Sequence, residues 1–218
     1  GFGFYNGGTT GTISNAGTIE GTSNTGIYND SGTISTINNT GTIRGSSSGI
    51  FNRSTATITT LNNAQGAGNN SSALTYVGKL PTNYNIILGS NASTYGQLSA
   101  TSATGQMTFG ILSGTASTYR YSAVLRGIAA SNLTGSLTGT YAGLAYELTL
   151  ATGSTSIWDL IFPTLNPGPD TQTSLQDTAY VLRGVYNLAN ASINNNLNLD
   201  SNLYDKNGIS VSLVGAYT

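Results

Sequence analysis

Apolar and polar positions in the first third of the chain recur at a fixed interval. Gly3-Phe4-Tyr5-Asn6, Gly26-Ile27-Tyr28-Asn29 and Gly49-Ile50-Phe51-Asn52 share the order Gly, apolar, aromatic, Asn, each copy 23 residues after the last. One more step reaches Ser72-Ala73-Leu74-Thr75, which keeps an apolar residue in third place. Between the copies lie Gly11-Thr12-Ile13-Ser14, Gly17-Thr18-Ile19-Glu20, Gly32-Thr33-Ile34-Ser35, Gly41-Thr42-Ile43-Arg44 and Ala56-Thr57-Ile58-Thr59. The steps from Ile13 to Ile34, Ile19 to Ile43, Ile27 to Ile50 and Ile34 to Ile58 are 21, 24, 23 and 24 residues. A constant period of this size marks a repeat architecture.

Each period therefore holds three short strands with an inward Ile and a Gly or Asn corner, one turn of a three-sided parallel β-solenoid with 23-residue coils. β-Branched Thr and Ile favour extended, half-buried backbone, and Gly and Asn tolerate the dihedrals of a sharp corner. Stacking at roughly 4.8 Å per layer puts equivalent side chains above one another. Ile13, Ile19, Ile27, Ile34, Ile43, Ile50 and Ile58 are the expected core, with Ile13 near Ile34 and Ile58. Asn6, Asn29 and Asn52 are expected to form an amide ladder at one corner, each amide satisfying the next.

The regular coils are expected over 1–78 and a less regular solenoid or sandwich core over 79–163. Leu80-Pro81 breaks the pattern, and longer apolar strands are expected at 85–88, 106–112, 121–125, 146–150 and 157–162. A Pro-rich linker spans 164–174. Leu175, Ala179, Leu182, Tyr186, Ala189 and Ile193 then step by 4, 3, 4, 3 and 4, which predicts one helix within 175–197. Thr171, Thr173 or Ser174 is placed to cap it, and Asn194-Asn195-Asn196 to end it. The last segment, 198–218, reads as a hairpin around Asp205-Lys206-Asn207-Gly208 followed by the alternating strand Ile209-Ser210-Val211-Ser212-Leu213.

Composition narrows the function. Only 7 % of residues are charged and the net charge is −1, so the chain carries no electrostatic footprint for nucleic acid. No apolar run is long enough for a helical membrane span. With no Cys and no His, thiol chemistry, disulfides and the commonest general base are excluded. The chain opens at Gly1 without an initiator Met or a signal-type segment, which suggests a processed or trimmed product.

The Gly-Thr-Ile-Ser and Gly-Ile-Tyr-Asn repeats resemble the passenger regions of bacterial autotransporters (type V secretion). Tyr95-Gly96-Gln97-Leu98, the segment Tyr121 to Gly127, and Ile157-Trp158-Asp159-Leu160 resemble the C-terminal end of such passengers. The segment Asp177 to Leu188 resembles the helix that approaches the translocator barrel. The resemblance implies export through the outer membrane and a β-helical shaft at the bacterial cell surface. The family's barrel needs many more strands than follow here.

Chemical sites are sparse. Glu20 with Asp30, and Glu147 with Asp159, are the carboxylate pairs a glycosidase would need, but each reads better as surface or turn acids. Lys79 beside Asn83 and Lys206 beside Asp205 and Asn207 are weak isopeptide candidates. No nucleophile-base pair, phosphate loop, metal cluster or cofactor motif occurs, so no catalytic, cofactor or metal residue is assigned. The expectation is a non-enzymatic extracellular homopolymer, a filament or sheath subunit. Phe4 and Tyr5 at one end, and Ile209, Val211 and Leu213 at the other, are the expected assembly surfaces. The alternative is a monomeric adhesin whose Thr/Asn faces bind a surface or glycan ligand.

Overall fold

A computed structural model describes residues 1–68 and 72–165, and the backbone of residues 203–204 and 210–211. The chain divides into two compact units, Gly1–Asn166 and Pro167–Thr218.

The first unit is an all-β parallel solenoid of about five stacked coils. The first coil contributes β1 (Phe4–Asn6), β2 (Thr9–Asn15) and β3 (Thr18–Gly21). The second contributes β4 (Ile27–Asn29), β5 (Thr33–Asn39) and β6 (Thr42–Gly45), and the third β7 (Ile50–Asn52), β8 (Thr57–Asn63) and β9 (Gly66–Ala67). The fourth holds β10 (Leu74–Lys79), β11 (Asn83–Ile87) and β12 (Tyr95–Gly96), and the fifth β13 (Leu98–Thr104) and β14 (Thr108–Ser113). After them come β15 (Arg120–Arg126), β16 (Thr138–Tyr141), β17 (Leu144–Leu150) and β18 (Ile157–Ile161).

One side of the solenoid is a sheet in the order β1-β4-β7-β10-β13-β15-β18-β17-β16, and the second is β14-β11-β8-β5-β2. The third side keeps its parallel pair only in the first two coils, β3 with β6; β9 and β12 pair antiparallel instead. The coils continue across Leu80-Pro81, where Leu80 is buried at the corner between β10 and β11. Beyond Arg126 one isolated parallel bridge remains, Leu133 with Met107, and β18, β17 and β16 form an antiparallel meander on the edge of β15.

The register corrects one expectation. Ile13 lies opposite Ile37, and Ile37 opposite Leu61, whereas Ile34 lies between Thr10 and Ile58. The seven-residue strand buries two isoleucines three apart: Ile34 and Ile37 are buried, with Ser35 exposed and Thr36 half-buried between them. The 21-residue step mixed these two columns. The offset is 23 on the first side, as in Phe4–Ile27–Ile50, and 24 on the second, as in Thr9–Thr33–Thr57. Extra residues at the corners absorb the difference.

Ile27, Ile34, Ile43, Ile50 and Ile58 are at most 1 % exposed, so each contributes about 1.5–3 kcal/mol of burial. Ile13 and Ile19 pack against this core but stay half-buried, because they belong to the first coil. The remaining expected strands are found at 83–87, 108–113, 120–126, 144–150 and 157–161. Pro163–Leu165 forms a single 3-10 turn. The rest of the Pro-rich linker, the 175–197 helix with its caps, the Asp205–Gly208 turn, Ile209 and Leu213 lie outside the described residues. In the second unit β19 (Leu203–Tyr204) pairs antiparallel with β20 (Ser210–Val211).

Candidate functional site

The expected amide ladder runs through the inside of the first corner. Asn6 donates Nδ2 to Asn29 Oδ1 at 2.8 Å, and Asn29 donates Nδ2 to Asn52 Oδ1 at 2.8 Å. Asn52 ends the ladder on the carbonyl of Lys79 at 2.7 Å. All three are buried, so each bond also relieves the cost of an orphaned polar group. The other end is closed too. Thr10 stands where later coils carry Ile34 and Ile58, and its hydroxyl donates to Asn6 Oδ1 at 2.9 Å.

Two further ladders escaped the sequence reading. Asn15 donates to Asn39 at 2.9 Å and Asn39 to Asn63 at 3.0 Å, inside the second corner. On the outer face of the second sheet Asn85 donates to Asn62, and Asn62 to Asn38, at 2.8 and 2.7 Å. Their signal was available, since Asn15, Asn39 and Asn63 repeat at 24, but it sits outside the cassettes that drew attention.

The first coil presents an open edge among the described residues. Asn15 donates to Asn39 while its Oδ1, reached by solvent, has no partner among the described residues; Asn39 and Asn63 fill theirs. Glycines tell the same story. A Cβ on Gly32 would overlap the carbonyl of Gly8, and one on Gly41 the carbonyl of Gly17, because these corners press directly on the preceding coil. Gly8 and Gly17 occupy the same columns in the first coil, and a Cβ on either meets nothing within 4 Å. Neither has a positive φ, so nothing among the described residues requires glycine there. The backbone agrees. Phe4 N–H bonds Gly26 and Asn6 C=O receives Asp30 N–H, which turns both residues inward and leaves Tyr5 facing the free edge.

Along the outside of the first sheet Tyr5, Tyr28 and Phe51 stack at 5.7 and 5.1 Å with nearly parallel rings, and Phe2 lies across Tyr28 at 4.7 Å. The rings cover one another's faces, so this column braces the coils. Tyr5 donates to Asp30 at 2.8 Å, a bond that raises its hydroxyl pKa, and Asp30 also pairs with Arg53 at 2.9 Å. Burial pushes the hydroxyls of Tyr76 and Tyr84 far above the ordinary tyrosine value.

The far end of the coils is built differently. Leu148, Trp158, Leu160 and Phe162 bury themselves over the core, with Leu133, Leu137, Leu144 and Tyr146 around them. β15 pairs antiparallel with β18 through a bulge between Tyr121 and Leu125, where Ala123 takes a φ of 51°. Asp159, buried on β18, accepts the Ala123 N–H at 2.6 Å and pairs with Arg120. On the outer strand β16 the Ser136 hydroxyl bonds both the N–H and the C=O of Thr138, at 3.2 and 2.8 Å.

The sequence-level acids are thus placed. Glu20 pairs with Arg44 at 2.9 Å on an exposed side, Asp30 is held by Arg53 and Tyr5, and Asp159 by Arg120 and Ala123. Lys79 Nζ donates to Thr57 Oγ1 at 3.3 Å. No group of metal-ligating side chains occurs among the described residues, nor does any helix there suit a membrane span. Comparison of the chain with protein families, with curated proteins and with solved structures finds no match.

Proposed function

We propose that the chain is an extracellular, non-enzymatic structural protein, a subunit that assembles with copies of itself into a filament or sheath on a bacterial surface. The observation that supports the reading is the first coil: Gly8 and Gly17 leave room for a closely packed layer, and the solvent-reached Oδ1 of Asn15 has no partner among the described residues. Phe4, Ile13 and Ile19 add half-buried apolar surface, and the strands β1 and β2 carry no charge or proline to repel a partner. The segment Ile209–Leu213 of a neighbouring copy, expected from its alternation to add as a strand, is the proposed joining element, since strand addition supplies directional main-chain bonds. Head-to-tail joining of this kind does not close and builds a fibre.

A second reading has its own support. The meander closes the far end of the core, as suits a monomeric shaft of the autotransporter-passenger type whose faces bind a surface or glycan ligand. The strands of its second sheet, β2-β5-β8-β11-β14, carry no acidic or basic side chain.

Negative-stain electron microscopy of unheated material, with intact mass on the same sample, separates the two. Regular fibres of an intact 22.3 kDa chain that shorten with Val211→Pro support assembly. Dispersed particles would sink it in favour of the shaft.

A further inference from the structure

We infer that the outer face of the second sheet, β2-β5-β8-β11-β14, is an ice-binding surface, with the column Thr12, Thr36, Thr60 and Thr108 at its centre. This face needs neither fibres nor an open first coil, since the column runs on through β5, β8 and β11 inside the stack.

The register fixes the column. Thr12 lies opposite Thr36, Thr36 opposite Thr60, Thr60 opposite Asn83 and Asn83 opposite Thr108. Neighbouring strands are about 4.8 Å apart, so side-chain oxygens recur along the stack at that interval. Ser35 and Thr59 stand beside the column and are exposed. The hydroxyls of Thr12, Ser35, Thr36, Thr59 and Thr60 have no partner among the described residues. Each keeps one donor and its acceptor lone pairs for a ligand from outside.

Neighbouring contacts hold these groups in place. Asn85 donates to Asn62 and Asn62 to Asn38 along the same face, at 2.8 and 2.7 Å, so that the amides bond one another. Thr108 donates to Asn83 Oδ1 at 2.7 Å, and Asn83 to the Thr59 carbonyl at 3.2 Å. Behind the column Ile37, Leu61 and Tyr84 are fully buried, and the Asn15–Asn39–Asn63 ladder ties the adjoining corner. Groups fixed in this way lose little further freedom on binding.

The chemistry of the face selects its occupant. With no acidic or basic side chain on these strands, an ionic polymer finds no counter-charge; Lys79 reaches only the margin, at Thr57. Tyr84 and Phe109 are buried, so neither ring lies open for a sugar to stack on. A column of neutral hydroxyls at a constant interval matches a ligand that is itself a lattice. Oxygen atoms of hexagonal ice repeat at nearly the distance between strands, and water can both donate to and accept from a threonine hydroxyl. The methyl beside each hydroxyl restricts the orientation of first-shell water, so the face favours ordered water over bulk.

The test is nanolitre osmometry on the full chain, with single ice crystals held just below their melting point. Faceted crystals are expected, with a gap between melting and freezing temperatures that buffer alone does not show. Ser35→Tyr with Thr59→Tyr, at two exposed positions, sets bulk on the array and is expected to abolish the gap while circular dichroism stays unchanged. Thr18→Tyr, at an exposed position on the third side, adds a ring elsewhere and is expected to keep the gap. Cosedimentation with microcrystalline cellulose, run in parallel, offers the same face a neutral polysaccharide lattice.

Three results on ice would overturn the inference: no gap and no faceting, a gap that survives the double variant, or a gap lost equally with Thr18→Tyr. Retention on cellulose that the double variant abolishes, without any effect on ice, would overturn it as well and assign the face to a glycan. Fibres that never shape ice would refute the ice-binding face and leave the assembly reading standing, whereas dispersed particles that shape ice would do the reverse.

Discussion

Asn29 offers the sharpest test of how the coils are held together, because it is the middle rung of the first ladder. It accepts one bond from Asn6 at 2.8 Å and donates two, to Asn52 Oδ1 at 2.8 Å and to the Thr57 carbonyl at 3.1 Å. Its side chain is fully buried, so water cannot replace what is lost. Three buried bonds at about 1 kcal/mol net each put Asn29→Ala near 3 kcal/mol, a change of about a hundredfold in the unfolding equilibrium. Asn29→Asp is the stricter probe, being nearly the same shape. An ionised carboxylate still accepts from Asn6 but faces two acceptors with no proton to give. At neutral pH it should cost more than the alanine, and part of the loss should return in acid, where the protonated carboxyl regains one donor. Urea unfolding followed by circular dichroism measures both, with the exposed Ser35→Ala as reference. An alanine cost below about 0.5 kcal/mol, the range of ordinary surface changes, or equal costs for Ala and Asp at neutral pH, would refute the argument.

Glycines in one column should behave differently by position: Gly41→Ala overlaps the Gly17 carbonyl and is expected to lose about 1–3 kcal/mol in the same urea assay, whereas Gly17→Ala should stay within about 0.5 kcal/mol. Alkali should unfold the chain through its buried phenols. The folded-state values of Tyr76 and Tyr84 are raised by burial, so the stability they confer is whole below about pH 10, the unfolded value, and falls as pH rises from there towards the folded values. A spectrophotometric tyrosinate titration run beside circular dichroism should show these two ionising only as the β signal collapses; their ionisation in a folded chain would contradict the burial.

The repeat was legible because inward Ile and corner Asn recur in the chain at nearly the distance that separates them in the stack. The Asn6–Asn29–Asn52 ladder could be named from spacing alone, and hydrogen bonds join all three. What spacing could not resolve was which Ile belongs to which column. Ile34 and Ile37 are both inward on one strand, and a 21-residue step from Ile13 looked as regular as a 24-residue one. Nor could it foresee the meander. The strands β15, β17 and β18 read as strands, but parallel and antiparallel pairing of apolar segments have the same local spelling, and the choice was made by contacts such as Asp159 with Ala123, 36 residues apart. The open space around the glycines of the first coil was hidden for another reason. A glycine that presses on a neighbour and a glycine that presses on nothing are the same letter, and Gly17 differs from Gly41 only in what lies above it.

Engineered cysteine pairs test the stacking register most directly, since the chain has no cysteine of its own. Thr12 and Thr36 are paired on β2 and β5, and neighbouring parallel strands about 4.8 Å apart bring such residues within the usual disulfide span of about 4.4–6.8 Å between Cα atoms. The account predicts that Thr12→Cys with Thr36→Cys closes an intramolecular disulfide under mild oxidation, seen by intact mass and non-reducing mobility. Thr12→Cys with Thr33→Cys, one strand over but three residues out of register, should stay reduced. Closure of the second pair in preference to the first, or of neither, would contradict the 24-residue stack on which the ladders, the open first coil and the threonine column all depend.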